Sequence, residues 1–426
     1  MINKKVLIML CNVILFNICL MGQNDTLRLS MKDAEQYAIE HNYSMKNASI
    51  DIKKAEATKW YAISTMLPQV TGTLDYTNHL GFEMEIMNMK VPMNPTSNLT
   101  IQASVAISGA QIVSATLGKM AKEMAQTNYQ KTEQTTKTQI KSVYFSILAM
   151  ENTLTLLGKS MENMLRLETY AQQAVTVGIS EQIDADQISV QVSSLQNNIN
   201  STRRSVEMLY NSLRLLLGTS VNTEIHLTES IENILNVENA NELLNENFSL
   251  ANNLDYQLTE QNVALAKRQV RVNEWAYGPT LSAYYQYKSK IQTTEFDMNP
   301  PQVIGITLNI PIFSSGSKLA KVNEAKCSYQ SAVNNMEMVS EQLKVQDRQL
   351  RYNLRSHFEN YDTQRKNIDV SQRVFNNITN KYEQGYASSM DVTNSSINLI
   401  TAQSNYIQAM LELVNAQIEL EKLLNK

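Results

Sequence analysis

The sequence predicts a mainly helical chain with a small β part, built as one structural unit repeated twice. Three observations carry this. The 426 residues hold only 12 glycines and 7 prolines, which favours extended helix over a sandwich or an α/β fold. The prolines form two clusters, Pro68, Pro92 and Pro95, then Pro279, Pro300, Pro301 and Pro311, and the tracts between and after them are free of this helix breaker. The chain also repeats itself. HNYSMKNASIDIKKAEATKWYAISTMLP (41–68) aligns without a gap with NNLDYQLTEQNVALAKRQVRVNEWAYGP (252–279), and VTVGISEQIDAD around Gly178 aligns with YEQGYASSMDVT around Gly385. That period far exceeds those of common solenoids, so the chain reads as a duplication of 23–218 and 219–426.

The N-terminus reads as a secretion signal over residues 1–22. Lys4 and Lys5 precede the apolar run VLIMLCNVILFNICLM, and Gly22 stands before Gln23. The run is too short and too early for a membrane span. Cys11 and Cys19 lie inside it behind Leu10 and Ile18, so no lipid-attached cysteine is expected. Cys327 is then the one cysteine of the exported chain, which excludes an internal disulfide framework. The net charge of −4 gives no electrostatic reason to expect nucleic acid.

Each half runs through the same order. A polar helix (31–65, then 241–276) leads to two strand-like segments, about 69–77 and 98–107 in the first half and about 280–288 and 302–312 in the second. Leu99, Ile101, Ala103, Val105 and Ile107 alternate with polar or small neighbours, as do Ile304, Ile306, Leu308 and Ile310. Val70, Leu74 and Tyr76 form a third such face; Leu281, Ala283, Tyr285 and Tyr287 form a fourth. Two readings fit segments of this kind: strands of a membrane β-barrel, or soluble hairpins packed on helices.

Long helical arms follow, 110–178 and 314–384, each ended by a glycine and answered by a returning arm, 184–217 and 389–425. The last arm carries two stripes at 3-4 spacing. One is Ile397, Ile400, Ser404, Ile407, Leu411, Val414 and Ile418; the other is Leu399, Ala402, Tyr406, Ala409, Leu413, Ala416, Leu420 and Leu423. Two seams predict a neighbour on each side, as in a closed cylinder of helices. The arm 184–217 shows one seam, from Ile188 to Leu216, which an ordinary bundle also explains. Gly178 and Gly385 are expected to be tip turns, since glycine suits the left-handed residue that ends a helix. Ser388 or Ser389, with Asp391 close behind, is expected to start the return.

Duplicated halves of this kind, with LNIPIFSSGSKLAKV (308–322) at a strand-to-helix junction and the paired motifs VGISEQIDADQ and QGYASSMDVTN, resemble the TolC-like outer membrane efflux protein family. The resemblance implies a homotrimer in which each chain gives four strands to one 12-stranded barrel. Four long helices per chain, with short equatorial helices beside them, would form a coiled-coil α-helical barrel in the periplasm. Physics also asks for an oligomer, because four strands cannot close and an open edge in lipid leaves backbone groups unpaired. About 70 residues separate each junction from its glycine, on the order of 100 Å of helix.

The resemblance further implies the outer membrane channel of a tripartite efflux pump or type I secretion system. It would be a passive duct working with a periplasmic adaptor (membrane fusion) protein and an inner-membrane pump of RND, ABC or MFS type, embedded in outer-membrane lipid, without cofactor or catalysis. Matched residue by residue, Tyr382 falls on a constriction tyrosine. Asp391 falls on a lumen-facing acid, Asn394 on a second that is amide here, and Asp184 on a further gate acid. Read from helix physics alone, Asp391 is equally a plain helix-start acid. Two places after the second glycine some members carry a basic locking residue; here it is Ala387.

Rival classes find less support. The histidines His41, His79, His226 and His357 are scattered, and HExxH, CxxC, GxSxG and GxxxxGK[ST] are all absent, which argues against an enzyme. An exported, non-channel coiled-coil protein would explain the seams and leave the symmetric strands unexplained. A periplasmic adaptor needs compact β domains richer in glycine and proline. Met84, Met87, Met89 and Met93 gather in the loop EMEIMNMKVPM, where thioethers could take Cu(I) or simply reflect a methionine-rich chain.

Overall fold

The computed structural model describes residues 26–86, 89–231, 237–292 and 300–426; the signal segment 1–22 and Met87 lie outside them. In chain order the elements are β1 (Leu27–Leu29), α1 (Met31–His41), α2 (Tyr43–Ser64), β2 (Gln69–Thr77), β3 (Glu83–Ile86), β4 (Met89–Pro92), β5 (Thr96–Ser108), α3 (Gly109–Thr176) and α4 (Gln182–Leu217). The second half continues with β6 (Ile225–Leu227), α5 (Val237–Asn245), α6 (Leu254–Trp275), β7 (Thr280–Gln292), β8 (Gln302–Asn309), α7 (Ser317–Glu383) and α8 (Ser389–Leu424). Among the described residues no helix is long and apolar enough to cross a membrane. The chain divides into two compact units. One takes residues through Lys46, Thr132–Ser249 and Lys344–Lys426; the other takes Asn47–Lys131 and Leu250–Leu343.

The second unit holds the main sheet. Its order is β2-β5-β7-β8, every neighbouring pair antiparallel, so the two halves of the duplication meet at β5–β7. Register sorts the side chains by chemistry. Leu74 pairs Leu99, Ile101 pairs Tyr287, and Tyr285 pairs Ile304, and directly opposed residues share a face. The other face carries Thr73, Thr100 and Lys288 in one row and Asp75, Asn98 and Lys290 in the next. The apolar face is exposed at Val70, Leu74, Tyr76, Tyr285, Ile304 and Ile306. A small antiparallel pair, β3 with β4, occupies the expected Met-rich loop.

The expected polar helices are each interrupted. The stretch 31–65 breaks at Asn42, which ends α1 and starts α2. Its buried side chain accepts the N–H of Ser44 at 2.7 Å and donates to the Leu216 carbonyl at 2.7 Å. The stretch 241–276 is likewise broken, with α6 starting at Asn253, whose side chain accepts the N–H groups of Asp255 and Tyr256. The two asparagines are aligned partners in the repeat. Asparagine competes locally for backbone N–H groups, so it starts helices better than it continues them.

The first unit gathers α4 and α8 with the later parts of α3 and α7. One core cluster joins Leu157, Met164 and Leu167 of α3, Ala185, Ile188 and Leu195 of α4, Phe375 and Tyr382 of α7, and Val392 and Leu399 of α8. Burying each large apolar side chain is worth about 1.5–3 kcal/mol, so this cluster sets the register of all four helices. Of the two stripes on α8, the one with Leu399, Ala409, Leu413 and Leu420 is buried along its length. The other is buried at Ile407, Val414 and Ile418 but exposed at Ile397 and Ser404, toward the tip. At the far end β1 pairs in parallel with β6, and the Tyr144 hydroxyl donates to the Leu29 carbonyl at 3.1 Å.

Candidate functional site

Both helix pairs turn by the same backbone device. Gly178 (φ +78°) and Gly385 (φ +79°) are left-handed. The N–H of Gly178 donates to the Val175 carbonyl and that of Ile179 to Ala174; the N–H of Gly385 donates to Tyr382 and that of Tyr386 to Lys381. These are Schellman ends. A Cβ at either glycine would meet nothing within 4 Å, so the backbone angle alone requires the residue.

The returning helices start differently. α8 begins at Ser388, whose hydroxyl accepts the Asp391 N–H at 3.1 Å, while Asp391 Oδ2 accepts the Ser388 N–H at 2.9 Å and its hydroxyl at 2.8 Å. This closed capping box holds the Asp391 carboxyl below its ordinary value of 3.8, the Ser388 backbone N–H contributing most and its hydroxyl next. α4 begins at Glu181, whose side chain makes no capping bond. Asp184, six residues after Gly178 as Asp391 is after Gly385, accepts instead from the Ser389 hydroxyl at 2.5 Å. Gln187 Oε1 lies 3.2 Å from the same hydroxyl. Ser389, only 3% exposed, therefore ties the first turn to the second. Ser388 caps and Ser389 bridges.

Tyr382 lies inside the helix cluster, 6% exposed, its ring edge-on to Tyr170 with centroids 5.7 Å apart. Burial raises its phenol above the usual value, with the Asp184 charge and then Tyr170 adding to the effect. The hydroxyl has no hydrogen-bond partner among the described residues. Around it, Tyr170 donates to the Glu383 carbonyl at 3.0 Å and Arg166 lies 3.4 Å from the Glu383 carboxylate. These contacts join the end of α7 to α3. Ala387 packs against the same cluster.

Of the sequence candidates, Asp184 and Tyr382 are brought together, Asp391 is engaged within its own turn, and Asn394 is exposed one turn further along α8. Ser389, Tyr170, Arg166 and Glu383 complete the site. Ser389 and Glu383 lie in the repeated motif, Ser389 as a candidate cap, whereas Tyr170 and Arg166 carried no motif, although Tyr170 flanks the buried stripe of Leu167, Ala171 and Ala174. The tips themselves expose apolar side chains: Ile179 80%, Tyr386 82%, with Val177 and Ile183 beside them. Among the described residues no cluster of histidine, cysteine or acidic side chains is arranged to hold a metal ion. His357 instead faces Glu412 across α7 and α8 at 3.3 Å.

Comparison with known proteins follows the same outline. Residues 35–219 and 247–426 match the family described as outer membrane efflux protein. The fold is similar to that of the outer membrane protein VceC from Vibrio cholerae, at 15% identity and a TM-score of 0.74 over 92% of this chain and 95% of that one. It is also similar to the CmeC outer membrane channel of Campylobacter jejuni (15% identity, TM-score 0.75, 92% and 85% coverage). A third likeness is to the open state of the MtrE outer membrane channel of Neisseria gonorrhoeae (14% identity, TM-score 0.73, 92% and 88% coverage). No curated protein matches the sequence.

Proposed function

The chain belongs to the outer membrane efflux protein family, and from that premise we propose that it is the passive exit duct of a tripartite efflux or type I secretion machine. Three copies form one 12-stranded barrel in the outer membrane, and their long helices form a tunnel in the periplasm. The single observation that carries this is the main sheet. It has one exposed apolar face, one polar face, and outer strands β2 and β8 that run in opposite directions. Copies can therefore join β8 to β2 without breaking the antiparallel alternation, and closure removes the unpaired edges that lipid does not tolerate. The uncovered stripe at Ile397 and Ser404 supports a neighbouring copy along the helices as well.

The tips are the candidate gate. Three copies of Asp391 around a narrow opening would attract cations, and the Ser389–Asp184 bridge holds the α7–α8 pair to α4 in the resting state. Ala387, packed against the same cluster, offers no charge for such a link. Opening separates these pairs, driven by an adaptor docking on the exposed Val177, Ile179 and Tyr386 and by an energised inner-membrane pump. Replacing Tyr382 and Asp391 together is expected to raise single-channel conductance; an unchanged conductance would remove the gate assignment.

The deciding measurement is the protein mass of the detergent-solubilised outer-membrane form, by light scattering corrected for bound detergent. A value near three chains supports the composite barrel. A folded monomer would leave four strands unable to close and would favour an exported coiled-coil structural protein.

A further inference from the structure

Resting on the duct reading, we propose that Tyr284 is a flat aromatic panel on the lumen wall of the barrel, seated over Gly305, that gives solutes with a flat aromatic face a transient contact on their way out. Register puts Tyr284 in one row with Gln69, Ser104 and Gly305, so all four strands contribute to that level. The row lies on the polar face of the sheet, which the duct reading turns toward the lumen. Among the described positions of that face Tyr284 is the one aromatic side chain; Tyr76, Tyr285 and Tyr287 stand on the other face.

Gly305 shows how the ring lies. A Cβ added there would come within 2.5 Å of Tyr284 Cε1, 2.6 Å of Cζ and 2.8 Å of the hydroxyl oxygen, where carbon atoms in contact sit about 3.5–4.0 Å apart. Gly305 is not left-handed, so the ring, and not the backbone angle, requires the glycine. The outer end of the phenol therefore lies across β8, whereas strand side chains ordinarily stand away from the sheet. Ser104 opposes Tyr284 on its other side, and Tyr284 stays half-exposed. A ring seated in this way turns its π face toward the lumen, and such a face pairs with flat aromatic groups by offset stacking. Three copies repeat the panel around the bore. The contact is uncharged, so it acts whatever the sign of the other side chains along the path.

The test uses the full chain in lipid nanodiscs, with caffeine, a neutral flat aromatic, as the probe and glucose as the saturated control, both read by saturation-transfer NMR. Tyr284→Ala is expected to weaken caffeine binding by about two- to tenfold, the range an aromatic pair adds beyond its buried area, and to leave glucose unmoved. Tyr284→Phe is expected to bind caffeine as the wild type does. Gly305→Val should lift the ring off β8 into the lumen, so single-channel conductance in planar bilayers should fall. Adding Tyr284→Ala to that variant should restore it. A ring that only covers a glycine would change stability and leave caffeine binding where it was. Pores of normal conductance whose caffeine affinity is equal in wild type and Tyr284→Ala would therefore overturn the panel. A conductance loss that persists in the double variant would overturn the seating over Gly305. Failure of the wild-type chain to form pores would overturn the duct itself, and the panel with it.

Discussion

The two tip turns share a backbone and differ in one capping residue, and that difference redirects an acid. Gly178 and Gly385 end their helices with the same pair of hydrogen bonds, and each is followed six residues later by an aspartate. In the second turn serine stands at the N-cap, so Asp391 closes a box with Ser388. In the first, the serine sits one residue early, at Ser180, and Glu181 occupies the cap without capping. Asp184 is left available, and the Ser389 hydroxyl of the other turn takes it. With Glu181 where the other turn has Ser388, and Ser389 where the first turn has Gln182, one aspartate caps its own helix and the other joins the two turns.

The largest effect that would sharpen this comparison lies beneath the bridge. Tyr382→Ala should remove about 3 kcal/mol by opening a cavity among the four helices, seen as a lowered thermal midpoint and faster proteolysis at the tips. Tyr382→Phe should be nearly neutral, because the lost hydroxyl has no partner among the described residues. Equal losses in the two variants would mean that the hydroxyl, and not the ring, holds the site.

Next comes the bridge. Asp184→Asn or Ser389→Ala should each raise the open probability roughly tenfold, matching about 1.5 kcal/mol for a hydrogen bond to a charged group. The double variant should add little to either. Glu181→Ser breaks the comparison more directly. It installs a cap at the first turn and should draw Asp184 into its own box. Helix stability should then rise while the channel opens more often; a stabler tip with unchanged gating would separate the bridge from the gate.

The two glycines should remain alike. Alanine at Gly178 or at Gly385 should cost about 1 kcal/mol each through the left-handed angle, with no steric difference to distinguish them. Unequal thermal shifts would show that one turn is strained by more than its backbone.

The smallest effect is with pH. The Asp391 carboxyl is depressed below 3.8 in the folded chain, so its contribution is complete above that value and lost as pH falls through the folded value. The difference in thermal midpoint between wild type and Asp391→Asn should be flat from neutral pH to about pH 5 and shrink only in stronger acid. Asn42 makes a complementary point about how the fold is written. Its helix-starting role is local chemistry, repeated at Asn253, where the side chain accepts the N–H groups of Asp255 and Tyr256.

What the sequence determined by itself is what depends on neighbours a few residues apart. Period-two alternation marked the strands, the proline-free tracts marked the arms, and Gly178 and Gly385 marked the turns, because φ, ψ and capping are settled within a helical turn. Tertiary structure decided the rest. It set β5 beside β7, buried Tyr382 under Tyr170, and chose Ser388 to cap and Ser389 to bridge. The bridge spans 205 residues of sequence, and such a contact exists only after the core has fixed the register of four helices, through buried side chains whose partners no local pattern names.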